Sequence, residues 1–284
     1  MNETIGIIHP GEMGISVAAS AQSGRNTVMW ASQGRSPQTR ARAADQSLVD
    51  ASTIENLCRS CSIIISVCPP HAAGEVAEKV MACSFKGLFV DVNAISPQRT
   101  QQISEKMQSQ GIPFVDGGII GGPAWEPDST WLYLSGDEAP RVADCFKGGF
   151  LRTEIISSQV GDASALKMCY AALTKGTSAL LCAVMGAAEG LGVREHLQRQ
   201  WDRDEMGSAE RNNLRVRRVT AKAWRFAGEM EEIASTFEGV GQPGGFHHAA
   251  AEIYLRLEGF KGQKQPPQLE EVLTFLRTRK ANKN

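Results

Sequence analysis

The first thirty residues constrain this chain more than any other stretch. Thr4-Ile5-Gly6-Ile7-Ile8 reads as a short buried strand, and His9-Pro10-Gly11-Glu12-Met13-Gly14 follows as a tight turn. Ile15 to Ser23, rich in small residues, reads as a helix, and Val28-Met29-Trp30 opens a second strand. Strand, glycine-containing turn and helix in this order is how a dinucleotide-binding domain begins. Gly11 lets backbone approach a pyrophosphate, and Gly14 lets the helix pack closely on the sheet. The helix N-terminus offers free N–H groups and a positive dipole end. Gly11, Glu12, Met13 and Gly14 are therefore expected to meet a cofactor. The full spacing calls for a third glycine where His9 stands, and a glycine-rich turn without ligand is the alternative.

The rest of the first half supports a layered fold. Short β-rich runs at Ser62–Val67, Leu88–Val92, Pro113–Val115 and Trp131–Leu134 alternate with helical patterns at Ser36–Ala44, Ile54–Arg59, Ala72–Cys83, Pro97–Gln110 and Glu138–Lys147. Such alternation predicts an α/β fold, a doubly wound, mainly parallel sheet with helices on both faces. From about Gly161 the strand signals stop and apolar residues recur at helical spacing. The expected division is a dinucleotide-binding domain over 1–160 and an all-helical domain over 161–284. Ala163–Leu191 is apolar nearly all round and reads as a central helix covered on several sides, with Leu214–Phe237, Phe246–Leu257 and Leu269–Arg277 after it. The polar stretch Thr278–Asn284 reads as a frayed end.

Bulk properties narrow the function. With 284 residues there is ample core for two domains. Thirty Lys and Arg against 31 Asp and Glu leave a net charge of −1, which speaks against a nucleic-acid footprint or a polybasic membrane patch. No signal peptide is read at the start, and Lys167, Lys175 and Glu189 argue that the long apolar helix is buried rather than membrane-spanning. Seven scattered cysteines suit reduced thiols in a cytoplasmic protein. Cys58-Arg59-Ser60-Cys61 lacks a second ligand pair, so no metal site is expected.

Cofactor choice turns on the end of the second strand, Trp30-Ala31-Ser32-Gln33-Gly34-Arg35-Ser36. NAD binding usually places an acid there for the ribose hydroxyls. Here Ser32, Arg35 and Ser36 suit a 2′-phosphate, so NADP is favoured over NAD, with a helix cap as the other reading of Ser36. Asn93 follows the Phe89–Val92 strand at its carboxyl end, where ligands bind in such sheets.

Four segments carry a resemblance. They are Gly6–Gly14, Ile63-Ile64-Ile65-Ser66-Val67-Cys68-Pro69-Pro70, Phe114-Val115-Asp116-Gly117-Gly118-Ile119-Ile120-Gly121-Gly122 and Gly161-Asp162-Ala163-Ser164-Ala165-Leu166-Lys167. In this order they resemble the β-hydroxyacid dehydrogenases, which share their fold with 6-phosphogluconate dehydrogenase. The later Gly228–Ile233 and Gly245–His248 are similar to a divergent branch of that family. The resemblance implies that Cys68 and Pro69 lie beside the nicotinamide, that Lys167 is catalytic and that a homodimer forms through the helical domain. It also implies that Ile120, Gly121, Gly122 and Ala171 face substrate. The family has a serine where Ile120 stands and an asparagine where Ala171 stands, so the usual carboxylate grip is missing.

Lys167 suits the proton transfer that accompanies hydride transfer to or from a carbonyl. Lys175, two turns on, is a second candidate for the substrate side. His247 follows a glycine pair at a helix start and is a further candidate, with packing as its alternative. Glu229, Glu231 and Glu232 are expected mainly on a solvated helix face, with pairing of one of them to a cation at the site as the alternative. The implied activity is an NADP-dependent oxidoreductase acting on a small hydroxy or carbonyl substrate. The rivals are an imine reductase of the same fold and a catalytically silent NADP-binding sensor.

Overall fold

The computed structural model describes residues 2–263 and 265–278, so most of the polar end, from 279 on, lies outside the described residues. The chain divides after Met168 into two compact units.

The first unit is built on one eight-stranded sheet. In chain order its elements are β1 (Thr4–Ile7), α1 (Glu12–Ser23), β2 (Thr27–Trp30), α2 (Pro37–Asp45), β3 (Val49–Asp50), α3 (Ile54–Ser60), β4 (Ile63–Ser66), α4 (Ala73–Ala82), β5 (Leu88–Asp91), α5 (Pro97–Ser109), β6 (Phe114–Gly121), β7 (Thr130–Ser135), α6 (Ala139–Asp144) and β8 (Leu151–Ser157). The strand order is β3-β2-β1-β4-β5-β6-β7-β8. The pairs from β3 to β6 are parallel, β7 runs antiparallel to β6, and β8 is parallel to β7. The doubly wound α/β reading is therefore met, with a mixed edge.

Period two explains the two faces. Ile63, Ile65, Leu88 and Val90 join the core cluster with α1 and α6. Ile64, Phe89 and Phe114 point the other way, into the cluster with α3, α4 and α5. Strands buried on both faces read as continuous apolar runs, as Ile63–Ile65 does. Two residues farther along the second face, the apolar series gives way to Ser66, Asp91 and Asp116. These are paired across β4, β5 and β6, and Ser135 on β7 faces Asp116. The strand order reverses between β1 and β4, which puts a crevice beyond their carboxyl ends.

The long helix α7 (Asp162–Gly190) starts in the first unit and continues into the second. Strands end with β8 at Ser157 and helices follow from Asp162. The compact unit nevertheless extends to Met168 because the first turn of α7 is bonded to β6 and β7. The second unit holds the remainder of α7 with α8 (Arg194–Asp204), α9 (Ser208–Glu238), α10 (Gly245–Arg256) and α11 (Leu269–Arg277). Tyr254 anchors it. Its buried ring meets Phe226 edge-on at 5.4 Å, and its hydroxyl donates to Lys175 O at 2.7 Å. In this unit α7 is covered over part of its circumference. Ala171, Ala179, Cys182 and Met185 are buried, but Leu173 and Leu180 are 70% and 51% exposed on one stripe with Tyr170. By length and composition α7 is also apolar enough to cross a bilayer.

Candidate active site

The β1–α1 turn separates the roles of its two glycines. A Cβ on Gly14 would lie 2.1 Å from His9 O, so only glycine lets α1 approach the strand end. A Cβ on Gly11 would meet nothing within 4 Å, so its bare face opens onto free space. Gly11 caps α1 without any side-chain cap bond, and Glu12 stands in the first turn. The N–H groups of that turn are thus not taken by a cap side chain. His9, where the motif would have glycine, is mostly buried. Its basicity is pushed down to about 4 by burial, with Arg35 and Lys79 adding repulsion.

Arg35 lies beyond β2, after Gly34 at φ +71°. Among the described residues, Arg35 Nε and His9 Nδ1 are buried side-chain atoms without a hydrogen-bond partner. Burial lowers the Arg35 pKa. Ser36 caps α2, its hydroxyl accepting from Thr39 N at 3.2 Å. Arg40, which the sequence did not single out, donates to Ser32 O at 2.7 Å and to Arg35 O at 3.4 Å, and so holds this loop. The open face at Gly11, the uncapped first turn and the orphaned guanidinium nitrogen fit a dinucleotide phosphate group.

Asn93 braces the loop after β4. Its Oδ1 accepts from Cys68 N at 2.5 Å, its Nδ2 donates to Ser66 Oγ at 3.0 Å, and its own N–H donates to Asp91 Oδ1 at 2.9 Å. Cys68 and Pro69 are thereby fixed at the crevice. Burial pushes the Cys68 thiol up to about 12, so it is no nucleophile at neutral pH. Cys58 and Cys61 are likewise buried with raised thiol pKa values.

Lys167 Nζ donates to Ile119 O at 2.6 Å, which sets the amine against β6. The next residues are Ile120, Gly121 and Gly122. Gly121 has φ +125°, and a Cβ there would lie 2.4 Å from Ser129 O, so this glycine serves the backbone. A Cβ on Gly122 would meet nothing within 4 Å, leaving open space near the lysine's strand.

The remaining substrate-side candidates lie in the second unit. Lys175 Nζ and Glu229 form a 2.9 Å ion pair with side chains only 13% and 12% exposed. The solvated-face reading therefore fails for Glu229, because a buried cation on α7 requires a partner. Glu231 pairs with His248 at 2.7 Å. His247 is buried edge-on between the Phe237 and Phe246 rings, with centroids at 4.4 and 5.3 Å. Ala171 is fully buried.

Asp91 and Asp116 were not read as site residues, yet both are buried at the sheet's carboxyl rim. Burial raises the Asp91 pKa to about 7, with Asp116 adding repulsion. Unfolded, Asp91 ionises near 3.8. Between these values the folded chain keeps a proton that the unfolded chain has lost. The stability Asp91 contributes is thus present below about pH 4 and lost as pH climbs through 7. His9 has the opposite sign, because its lowered pKa loses stability as pH falls from 6.5 towards 4. Denaturant titrations from pH 4.5 to 7.5 should therefore show Asp91→Asn gaining stability relative to wild type as pH rises. A constant difference would contradict the burial argument.

Residues 4–145 match the family described as the NAD binding domain of 6-phosphogluconate dehydrogenase, and residues 188–257 match a domain of unknown function, DUF1932. An uncharacterized 28.5 kDa protein of Methanothermus fervidus is 32% identical over 165 residues, 58% of this chain. That match spans 63% of the relative's length, less than two thirds. A conserved protein of unknown function, described as structurally similar to 3-hydroxyacid dehydrogenases, is 27% identical with a TM-score of 0.65. It covers 90% of this chain and 97% of its own. The 3-hydroxyisobutyrate dehydrogenase of Mycobacterium tuberculosis, solved with L-serine, has the same fold at 17% identity. Its TM-score is 0.71, with 98% and 100% of the two chains covered.

Proposed function

Because the chain belongs to the family of the 6-phosphogluconate dehydrogenase NAD-binding domain, we propose that it is an NADP-dependent oxidoreductase. It moves a hydride between the nicotinamide and a small hydroxy or carbonyl compound. The dinucleotide, when bound, supplies or accepts the hydride. Lys167 holds the matching proton at Nζ, giving it to the substrate oxygen in reduction and taking it in oxidation. The observation that carries this reading is the Lys167 amine against β6 at Ile119, beside the open face of Gly122. Ile120 offers substrate an apolar wall where a hydroxyl would grip a carboxylate, which favours a less polar substrate.

Arg35 supports NADP over NAD, because its Nε is buried with no partner and would meet one on a 2′-phosphate. The exposed Tyr170, Leu173 and Leu180 stripe of α7 supports a homodimer. A second copy covers one stripe, whereas a lipid phase would need the helix apolar all round, and Lys175 is not. Calorimetric titration with NADPH and NADH tests the reading. Arg35→Ala should weaken NADPH by about 2 kcal/mol, roughly thirtyfold, and leave NADH within about twofold. Equal losses for both nucleotides would remove the NADP assignment. Light scattering on the same sample should give twice 30.7 kDa, and a monomer mass would remove the dimer. The screen for turnover should pair small 3-hydroxy acids, their carbonyl counterparts and imines.

A further inference from the structure

We propose that Asp116 is a positioning residue that aims Lys167 by capping, from the neighbouring strand, the helix that carries it. The inference rests on reading Lys167 as the proton-transfer group.

Asp116 is fully buried and accepts four hydrogen bonds. Its Oδ1 takes Ser164 Oγ at 2.6 Å. Its Oδ2 takes Ser164 N at 2.9 Å, Gly161 N at 3.0 Å and Ser135 Oγ at 3.1 Å. Ser135 Oγ in turn accepts from Ala163 N at 3.1 Å. The first amides of α7 are therefore closed by side chains of β6 and β7. A helix is ordinarily closed by its own preceding residue, which leaves it free to swing as a unit. Closed from the sheet, this first turn cannot rotate or slide without breaking bonds to two strands.

Rotation is what matters for Lys167. Ser164 and Lys167 are three apart and share a helix face. Whatever fixes Ser164 therefore fixes the direction in which the lysine leaves α7. Thr100 Oγ1 on α5 adds a third support, 2.9 Å from Ser164 Oγ. Gly118 sets the separation. A Cβ there would lie 2.5 Å from Ala163 O and 3.0 Å from Lys167 Cβ, so the helix rests directly on the strand backbone. Lys167 then reaches Ile119 O, one residue along β6.

A carboxylate suits this place because it only accepts. An amide would turn an NH2 towards at least one of the donors. Asp116→Asn is consequently not a silent change.

The test reads the lysine itself. The full-length chain is labelled with trace acetic anhydride from pH 7 to 10, and each lysine is followed by peptide mass spectrometry. Wild type is compared with Asp116→Asn, Asp116→Ala and Ser164→Ala. Lys167 should label roughly fivefold faster in the Asp116 variants, the equivalent of one ordinary hydrogen bond lost. Ser164→Ala should shift it less in the same direction, and Lys79, Lys106 and Lys147 should keep their rates. An unchanged Lys167 profile overturns the proposal. So does a uniform rise at every lysine, which would make Asp116 a general stabiliser. If the Asp116 variants do not fold, Ser164→Ala decides by the same criterion. Turnover separates the two readings. Shifted labelling with Lys167→Ala still active removes the reaction and keeps the mount. Unshifted labelling with Lys167→Ala inactive removes the mount and keeps the reaction.

Discussion

Lys167→Ala is expected to lower turnover by about 10²- to 10⁴-fold, the range lost with a positioned acid–base group. NADPH affinity should stay within about threefold, because the amine meets Ile119 O and the open side of β6 rather than the phosphate turn. The loss should appear in kcat and kcat/KM alike, as for an interaction made in the transition state. Steady-state kinetics on whichever compound the screen turns over, with calorimetry on the same preparations, checks both halves. Full activity in the variant would leave a nucleotide-binding protein whose proton moves elsewhere. Intact binding with no turnover of any compound by wild type would favour the silent sensor.

Gly11→Ala and Gly14→Ala should separate binding from folding. At Gly14 an added methyl would sit 2.1 Å from His9 O, which is backbone and cannot swing aside. Alanine in a helix is intrinsically better than glycine by about 1 kcal/mol. Overpacking of this kind costs about 1–3 kcal/mol or more. A backbone clash at 2.1 Å belongs at the upper end of that range, about 3 kcal/mol, so a net loss of about 2 kcal/mol and a lower Tm are expected. At Gly11 the methyl touches no protein atom and φ is −70°, which alanine adopts freely. Stability should change by less than about 1 kcal/mol, the scale of a weakened N-cap. The methyl does enter the space a pyrophosphate would use, so NADPH affinity should fall by at least about tenfold, or roughly 1.4 kcal/mol. Thermal melts and calorimetry on the two variants give four numbers. Unchanged affinity in Gly11→Ala would mean that the phosphate does not lie at this turn.

Much of the first unit was legible because its strands are buried on both faces. Ile63–Ile65 and Leu88–Val90 advertise themselves as apolar runs, and Gly11 to Gly14 has a spacing with a mechanical cause. What escaped notice lacks such contrast. β3 is two exposed residues, and β8, Leu-Arg-Thr-Glu-Ile-Ile-Ser, mixes charge with apolar residues on a half-exposed edge. α8 has no buried residue, so no apolar period marks it. In the site, Lys167 was readable through resemblance. The role of Asp116 was not, because it depends on the register of β6 with β7 and on a helix that begins 46 residues later. Which of the three glutamates takes the cation is hidden for a related reason. The neighbours of Glu229 in sequence look solvated, while its partner Lys175 lies on another helix.

One strand, β6, divides its duties along its length. Asp116, Gly117 and Gly118 are committed inward, where a side chain on either glycine would strike Val92 or the backbone of α7. A few residues on, Ile120 is only half-buried, and a Cβ on Gly122 would meet nothing within 4 Å, although the Gly122 carbonyl accepts from Thr130 Oγ1 at 2.7 Å. Side-chain change at 120 and 122 is therefore mechanically uncoupled from the contacts that seat the start of α7 on β6. Substitutions at 120 and 122 are expected to leave the fold intact where substitutions at 116 to 118 are not. Replacement of a polar residue by Ile120 is the kind of divergence such a division permits.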